Sequence, residues 1–480
     1  MTEKKAEMES SLTHLGARAF AWDLGGQASG QLMHILIRLV LARLLVPEDF
    51  GLVAIAMLVI SFSWWFMDLG FGAFLIQCKA VTEQHKSTAF WSNGILALLV
   101  CFLMVALAPA LAEFFQNPEL TLIIIALSLR NILSFPESTM TALLQKELNF
   151  RPIALRKLVA TFIGGSCGIV AALTGFGVWA LVVDSLMRAA IGSLLLYAQS
   201  GWKPKFLFDQ HAFKEMWEYS RFLLLARFTS YVSRNLDTLI IGRALGAYSL
   251  GLYNVAYQFV LFPLLHFSRS VNNVLFSVFS KLGSDSARIS ELFITSSWCV
   301  AALVFPPMTV IALYSEQVID VLLGQQWADT AALVPYMCGV GCIQTLYSLL
   351  PSLYQSQART RQFSRFVLVN ALAIAGALLA GAQYGILGVA QAYLIASLIV
   401  FPFQIFYALR LLQVDIMAYL AGLLRAIGLT IVVVMPVLIF GETMTEIGWS
   451  AAVYLGLGVA MYGLLVWYSV KQLMEVRLSR

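Results

Sequence analysis

The amino-acid sequence predicts an all-α polytopic membrane protein with about fourteen transmembrane helices. Hydrophobic residues make up 60% of the 480 residues and charged residues only 12%, about half the charged share of soluble proteins. A soluble fold of this size could not hide so many apolar side chains from water, so lipid must solvate most of them. A second observation is the length of the apolar stretches, since about fourteen of them reach the roughly 20 residues that cross a bilayer.

Short polar connections separate these stretches. The stretches cover residues 18–43, 50–77, 88–112, 120–145, 153–174, 177–199, 219–242, 250–280, 291–314, 331–356, 363–382, 385–409, 416–440 and 447–470. Because residues 1–13 are polar and no cleavage site follows them, the first stretch is expected to remain as a helix. We expect residues 1–200 to form a lobe of six helices and residues 201–412 a second lobe. Residues 413–480 are expected to add two helices and a tail.

Basic residues predict the orientation of the chain in the membrane. With the N-terminus in the cytoplasm, the inner loops and both termini hold 20 of the 31 Lys and Arg, whereas the outer loops hold only Arg43 and Arg243. Both termini are therefore expected in the cytoplasm, and the protein is expected in the bacterial inner membrane. The basic residues are scattered singly, which argues against a nucleic-acid-binding patch.

A shift of 200 residues reveals an internal repeat. It places LARLLVPEDFGLVAIA, residues 41–56, on IGRALGAYSLGLYNVA, residues 241–256, so that Gly51 meets Gly251. Six predicted spans separate the two copies, which gives both halves of the chain the same orientation. This predicts two six-helix lobes related by a pseudo-two-fold axis along the membrane normal, with a binding cavity between them.

Ionisable residues inside the predicted spans indicate the chemistry of the ligand. The nine basic residues that remain after the loops and termini are counted are all Arg, and only five acidic residues lie similarly inside the spans. An Arg near the bilayer centre costs about 3 kcal/mol or more, so these side chains must face protein or a water-filled cavity. An excess of positive charge remains even after every acid is paired, and it suits an anionic ligand. The planar guanidinium favours phosphate, because it can bind two oxygens at once.

The candidate cavity residues recur at helical spacing, so the members of each set share one helix face. They are Gln27, Gln31, His34 and Arg38 in the first span, Arg130 and Glu137 in the fourth, Arg227, Tyr231 and Arg234 in the seventh, and His266 and Arg269 in the eighth. The 200-residue shift places the first-span set on the seventh span, so the repeat and the polar faces agree. Arg234 and Arg269 are expected to lie deepest, and the two histidines are equally consistent with ordinary packing.

Some of the charges inside the spans have simpler explanations. Asp184 and Arg188, spaced i, i+4, are predicted to form a structural pair. Arg188 also lies near a predicted helix end, where its side chain could snorkel to the interface. Arg130 could pair with Glu137 across two turns of the same helix.

The sequence lacks motifs for catalysis and for ATP use. It contains no GxxxxGK[ST], HExxH or GxSxG and no outer loop large enough for a catalytic domain, which argues against an enzyme. The motifs GGQASG (25–30) and GGSCG (164–168) lie inside predicted spans, where helix packing explains them better than phosphate binding. The six Cys have no neighbouring ligands and are expected to be free thiols. No cofactor or metal is expected. Because the sequence has no ATP-binding motif, a proton or sodium gradient is expected as the energy source.

Several segments resemble the polysaccharide transporters of the MOP flippase superfamily, and in particular its Wzx-type lipid-linked oligosaccharide flippases, which include the colanic acid exporters. The segments are ARLLVPEDFGLVAIA (42–56), DLGFGAFLIQ (68–77), FWSNGILALL (90–99), ALLQKELNFRPIALRKL (142–158), GFGVWALV (175–182) and IIGRALGAYSLGLYNVAYQF (240–259). The resemblance implies alternating access by two lobes and a substrate of oligosaccharide joined through diphosphate to polyprenol. It also implies a polysaccharide polymerase and export machinery as partners.

Two other functions stay open at this point. One is a multidrug or cation antiporter of the same superfamily, which the excess of Arg disfavours. The other is a membrane-bound polysaccharide polymerase, which would be expected to carry a larger outer loop.

Overall fold

The computed structural model describes the greater part of the chain: residues 22, 25–27, 29–67, 69–78, 80–263, 272, 275, 278–280, 282, 286–357, 359–412 and 415–441. Within these ranges the regular structure is helical, without a strand, which confirms the predicted all-α fold. The chain divides into two compact units, Met1–Gly251 and Leu252–Arg480. The predicted lobe limits at residues 200 and 412 stay a prediction.

The helices follow one another with short connections. The first part of the chain forms α1 (25–27 and 29–44), α2 (Pro47–Met67), α3 (Phe71–Gln77), α4 (Glu83–Phe114), α5 (Leu120–Lys146), α6 (Phe150–Leu173), α7 (Trp179–Gln199) and α8 (Gln210–Pro263). The later part forms α9 (Ser286–Leu313), α10 (Ser315–Leu322), a 3₁₀ turn (Gln325–Trp327), α11 (Ala328–Ala331), α12 (Val334–Tyr347), α13 (Leu350–Ser356), α14 (Thr360–Ala382), α15 (Gly385–Leu412) and α16 (Ile416–Gly441).

Two glycines set helix breaks that the sequence analysis placed differently. The second predicted span, 50–77, consists of two helices, because Gly70 adopts a φ of 78° directly before α3. The seventh and eighth predicted spans join in α8, where Gly246 interrupts the helix at φ 80° and ψ −178°. Positive φ is open to Gly and strained for other residues, so the local sequence determines both breaks.

Eight of the described helices are long and apolar enough to cross a membrane. A ninth span results if the pair Gln325–Ala331 and Val334–Ser356, bent by 53°, is counted as one. The predicted total of fourteen stays a prediction, and its last span, 447–470, lies outside the described residues.

The distribution of polar and apolar side chains is inverted relative to a soluble protein. Phe102 of α4 is 77% exposed, and Leu372 and Phe403 of the second unit are also exposed. Ser128 and Asn131 of α5 are buried instead, and Asn131 Nδ2 donates a hydrogen bond to Ser63 Oγ of α2 at 2.9 Å. Long helices with apolar side chains outside and polar side chains inside are what lipid requires, so this is a multi-pass membrane protein.

The two copies of the repeat meet within the first unit. A Cβ atom on Gly51 would overlap the main chain of Ala247, and a Cβ on Gly251 would overlap the carbonyl of Pro47. Pro47 and Ala247 are themselves equivalent under the 200-residue shift, so the contact is reciprocal. A pseudo-two-fold relation between the repeats produces this reciprocity. We call this interaction the repeat contact.

Candidate functional site

α1 and α6 run side by side in the first unit, because glycines let their backbones approach. A Cβ on Gly26 would overlap the side chain of Ala154, and a Cβ on Gly165 would overlap Ile37. The successive contacts advance by the same number of residues along both helices, so α1 and α6 are parallel. Both glycines belong to the Gly-rich motifs, and their predicted role in helix packing is confirmed.

α7 packs on α6 at a second pair of glycines. A Cβ on Gly168 would lie 2.9 Å from the Cβ of Asp184, and a Cβ on Gly164 would lie 3.0 Å from the main-chain nitrogen of Arg188. Asp184 is buried, and it accepts a hydrogen bond from Arg188 Nη2, which confirms the predicted structural pair. Arg188 lies near the middle of α7, so the alternative that it snorkels from a helix end is wrong.

Glu137 of α5 forms its ion pair with α6. Its Oε2 lies 2.9 Å from Arg156 Nη1, and a Cβ on Gly192 of α7 would lie 3.0 Å from its Oε1. The pair therefore lies where three helices meet. The alternative that Glu137 pairs with Arg130 is wrong. Arg156, which the sequence analysis counted with the inner loops, lies inside α6.

Two of the predicted cavity arginines lack a close ion pair in the described part of the first unit. Neither Arg38 of α1 nor Arg130 of α5 has a described carboxylate within 4 Å. Both side chains are half-buried, the charges of Asp184 and Arg188 act on both, and the charge of Glu137 also acts on Arg130. Four arginines, Arg38, Arg130, Arg156 and Arg188, thus share one region with two acids, Asp184 and Glu137, which leaves it with a net positive charge.

The helix contacts place two of these arginines at one level of the bundle. Arg38 follows Ile37, which packs on Gly165 of α6, while the Arg188 main chain packs on the residue just before that glycine. Arg130 lies seven residues, or about 10 Å, along α5 from the position that forms the ion pair with α6. Arg130 is therefore set apart along α5 from the Glu137–Arg156 pair, whereas Arg38 lies at the level of the Asp184–Arg188 pair.

The predicted polar face of α1 lies beside this positive region. Gln31 lies about 120° and His34 about 60° around the helix from the residues that pack on α6, and both are half-buried. The charges of Arg38 and Lys157 act on the His34 ring, whereas Gln27, one turn earlier, is exposed. The α1–α6 contact does not use these side chains, and their role in a cavity stays a prediction.

Five predicted site residues fall where side chains are not described. Arg227, Tyr231 and Arg234 belong to α8, but their side chains lie outside the described part. His266 and Arg269 lie outside the described residues altogether. Their roles therefore also stay a prediction.

The second unit holds a neutral polar cluster. Gln344 Nε2 donates hydrogen bonds to Tyr393 Oη at 2.9 Å and to Tyr257 Oη at 3.2 Å, and Tyr257 stacks on Tyr253 at 5.8 Å. The sequence analysis did not single out these tyrosines, because a Tyr in an apolar span is usually a packing residue. The i, i+4 spacing of Tyr253 and Tyr257 is the signal that could have found them.

Packed membrane helices with arginine side chains among them define a polytopic membrane protein with a candidate functional site inside the membrane. The chain belongs to the polysaccharide biosynthesis protein family, whose profile matches residues 40–332, more than half of its length. The family resemblance that the sequence motifs indicated is thereby confirmed.

Relatives named for the biosynthesis or transport of bacterial polysaccharides match most of the chain. The teichuronic acid biosynthesis protein TuaB of Bacillus subtilis (strain 168) is 25% identical over 82% of this chain and 82% of its own length. The lipopolysaccharide biosynthesis protein WzxC of Escherichia coli (strain K12) is 25% identical over 75% of this chain and 74% of its own. The succinoglycan biosynthesis transport protein ExoT of Rhizobium meliloti (strain 1021) is 26% identical over 63% and 65%.

Solved structures share the fold at low sequence identity. The lipid II flippase MurJ, in an inward closed conformation, matches with a TM-score of 0.69 and 15% identity, over 96% of this chain and 100% of its own. An inward-facing multidrug resistance MATE family transporter of the MOP superfamily matches with a TM-score of 0.59 and 14% identity, over 83% and 95%. These likenesses establish the transporter fold.

Proposed function

We propose that this protein is a flippase of the bacterial inner membrane that moves a polyprenyl-diphosphate-linked oligosaccharide for exopolysaccharide, capsule or O-antigen synthesis. The family assignment supports this, as do relatives named for teichuronic acid, lipopolysaccharide and succinoglycan biosynthesis. The fold is shared with a flippase whose cargo is a lipid, lipid II. Both termini are proposed to lie in the cytoplasm, as the distribution of Lys and Arg favours.

The lack of a close ion pair at Arg38 and Arg130 is the observation that carries the proposal. An Arg in the membrane interior costs about 3 kcal/mol or more. Asp184 is paired with Arg188 and Glu137 with Arg156, so neither acid forms a close ion pair with Arg38 or Arg130. A diphosphate carries negative charge and has enough oxygens to engage two guanidinium forks at once, so it matches the two arginines in charge and in hydrogen-bonding groups.

In the proposed mechanism Arg38 and Arg130 bind the diphosphate, while Gln31 and His34 donate hydrogen bonds to sugar hydroxyls. The polyprenyl chain stays in lipid, because only the polar head needs a path through the protein. The Glu137–Arg156 pair joins α5 to α6, and the α6 glycines hold α7 against α6. Alternating access then exposes the site to each side in turn. The remaining candidate lining residues are Gln27, Arg227, Tyr231, Arg234, His266 and Arg269.

A polysaccharide polymerase and export machinery are the proposed partners, because they would consume the flipped substrate. A proton or sodium gradient is the proposed energy source. The fold shared with a multidrug transporter makes drug export the second candidate function. The positive region of the first unit disfavours it, because cationic drugs would be repelled.

Genetic complementation tests the proposal. Cells lacking the gene should accumulate lipid-linked oligosaccharide and lose surface polymer, and the wild-type gene should restore export. Arg38→Ala and Arg130→Ala should each fail to do so at normal abundance, since losing one charge-assisted hydrogen bond weakens binding about ten-fold or more. Arg361→Ala, an exposed position at the start of α14, is the matched control and should export normally. Normal export by the double Arg38→Ala, Arg130→Ala variant would refute the site, and restored ethidium efflux without polymer would favour the drug antiporter.

A further inference from the structure

The connection between α7 and α8, residues 201–209, combines basic residues with outward-facing aromatic ones. Its sequence is GWKPKFLFD. Phe206 is 89% exposed, Phe208 58% and Leu207 44%, and Lys203 and Lys205 are exposed beside them. So many exposed apolar side chains within three residues mark a surface that contacts something other than water.

This connection is fixed to the start of α4, so its exposed aromatic face is part of a defined structure. Trp202 Nε1 donates a hydrogen bond to Glu83 Oε2 at 3.0 Å, and Trp91 Nε1 donates to the carbonyl of Lys205 at 2.8 Å. The Phe206 ring stacks on Trp91 at 4.7 Å. The two indole groups therefore attach the segment to α4, while the face of the Phe206 ring that points away from Trp91 stays exposed.

The acidic groups of this region are already engaged elsewhere. Glu83 lies 2.8 Å from Lys86 Nζ and also accepts the Trp202 hydrogen bond. Asp209 accepts hydrogen bonds from the main-chain nitrogens of His211 and Ala212 at the start of α8, and these bonds hold the pKa of its carboxyl below the ordinary value. Lys205 acts on Glu83 only at a distance, and neither Lys203 nor Lys205 has a described carboxylate within 4 Å, so both ammonium groups can bind an outside partner.

We propose that residues 202–208 form an interfacial anchor that binds the anionic headgroups of the cytoplasmic leaflet. The segment directly follows α7, which is long and apolar enough to cross a membrane, so Phe206 and Phe208 lie near the depth where aromatic side chains prefer to lie. The cytoplasmic leaflet carries anionic lipid, which complements Lys203 and Lys205. Charge complementarity and position next to the bilayer therefore favour a lipid surface over a soluble protein.

Site-directed spin labelling of the full-length protein tests the anchor. Single cysteines replace Phe206 or Phe208 in a background without the six native cysteines, and the protein is reconstituted into phosphatidylcholine vesicles with or without phosphatidylglycerol. The labels should collide with oxygen more than with a water-soluble nickel chelate. A label at Glu147, an exposed residue in the α5–α6 turn, is the control and should show the reverse.

Lipid charge provides the second arm of the test. In vesicles with phosphatidylglycerol, Lys203→Gln with Lys205→Gln should reduce the inserted population by about five-fold per lysine, because each contributes roughly 1 kcal/mol near an anionic surface. The same pair of substitutions should change little in pure phosphatidylcholine. Labels that read as water-exposed in both vesicles would overturn the anchor and leave the surface to a soluble partner. If the inserted population is the same in both kinds of vesicle and the lysine substitutions do not change it, the segment does not recognise anionic lipid.

Discussion

Alanine at Gly51 or Gly251 is expected to destabilise the protein by roughly 1–2 kcal/mol. At either position the new methyl group would overlap main-chain atoms of the other repeat, at Ala247 or Pro47. No side-chain rotation relieves an overlap with backbone, so the helices must separate locally, which costs about 1–3 kcal/mol for an overpacked interior. The gain in helix propensity from Gly to Ala is at most about 1 kcal/mol and offsets only part of that cost.

Thermal unfolding in a single detergent, followed by gel filtration after heating, measures this effect. Gly376→Ala in α14 is the matched control, because a Cβ there meets nothing within 4 Å and should be neutral or stabilising. The Gly51→Ala, Gly251→Ala double variant should lose less stability than the sum of the single variants, since both relax the same repeat contact. The reasoning is refuted if the Gly51 and Gly251 variants melt at the temperature of Gly376→Ala.

Three other predictions concern charge. Arg156→Ala should lower protein abundance by breaking its pair with Glu137, and exchanging the two residues should restore much of it; unchanged abundance in the single variant would mean that the pair is not structural. Reporter fusions should read as cytoplasmic at Lys205 and as periplasmic at Asn117, and a periplasmic reading at Lys205 would break the predicted orientation. Arg130→Lys should support transport only in part, because an ammonium lacks the two-pronged geometry of a guanidinium, and full transport would leave only a point charge at that site.

Features that lie within a single helix could be predicted from the sequence. The polar face of α1 and the Gly-rich motifs follow from helical periodicity, and the Asp184–Arg188 pair follows from an i, i+4 spacing. The repeat was readable because Gly51 and Gly251 keep their residue type where two backbones touch. In each case the neighbouring residues along the chain contain the information.

Features that depend on which helices become neighbours were not readable. Glu137 was assigned Arg130 as its partner because both lie on one face of α5, but its carboxylate pairs with Arg156 of α6. The sequence gives no means of knowing that α6 passes within 3 Å of that carboxylate. The tyrosines around Gln344 were missed for the same reason, since their hydrogen bonds connect different helices.

Transport by the purified protein in liposomes tests the central claim most directly. A fluorescent polyprenyl-diphosphate oligosaccharide is placed in both leaflets, and a membrane-impermeant quencher reports how fast the inner pool reaches the outer leaflet. Wild-type protein and Arg361→Ala should move the inner pool, empty liposomes should keep it protected, and the double Arg38→Ala, Arg130→Ala variant should be slower by about ten-fold or more. The flippase function would be contradicted if the inner-leaflet substrate stayed as protected from the quencher with wild-type protein as in empty liposomes. The arginine site would be contradicted if the double variant moved the substrate at the wild-type rate.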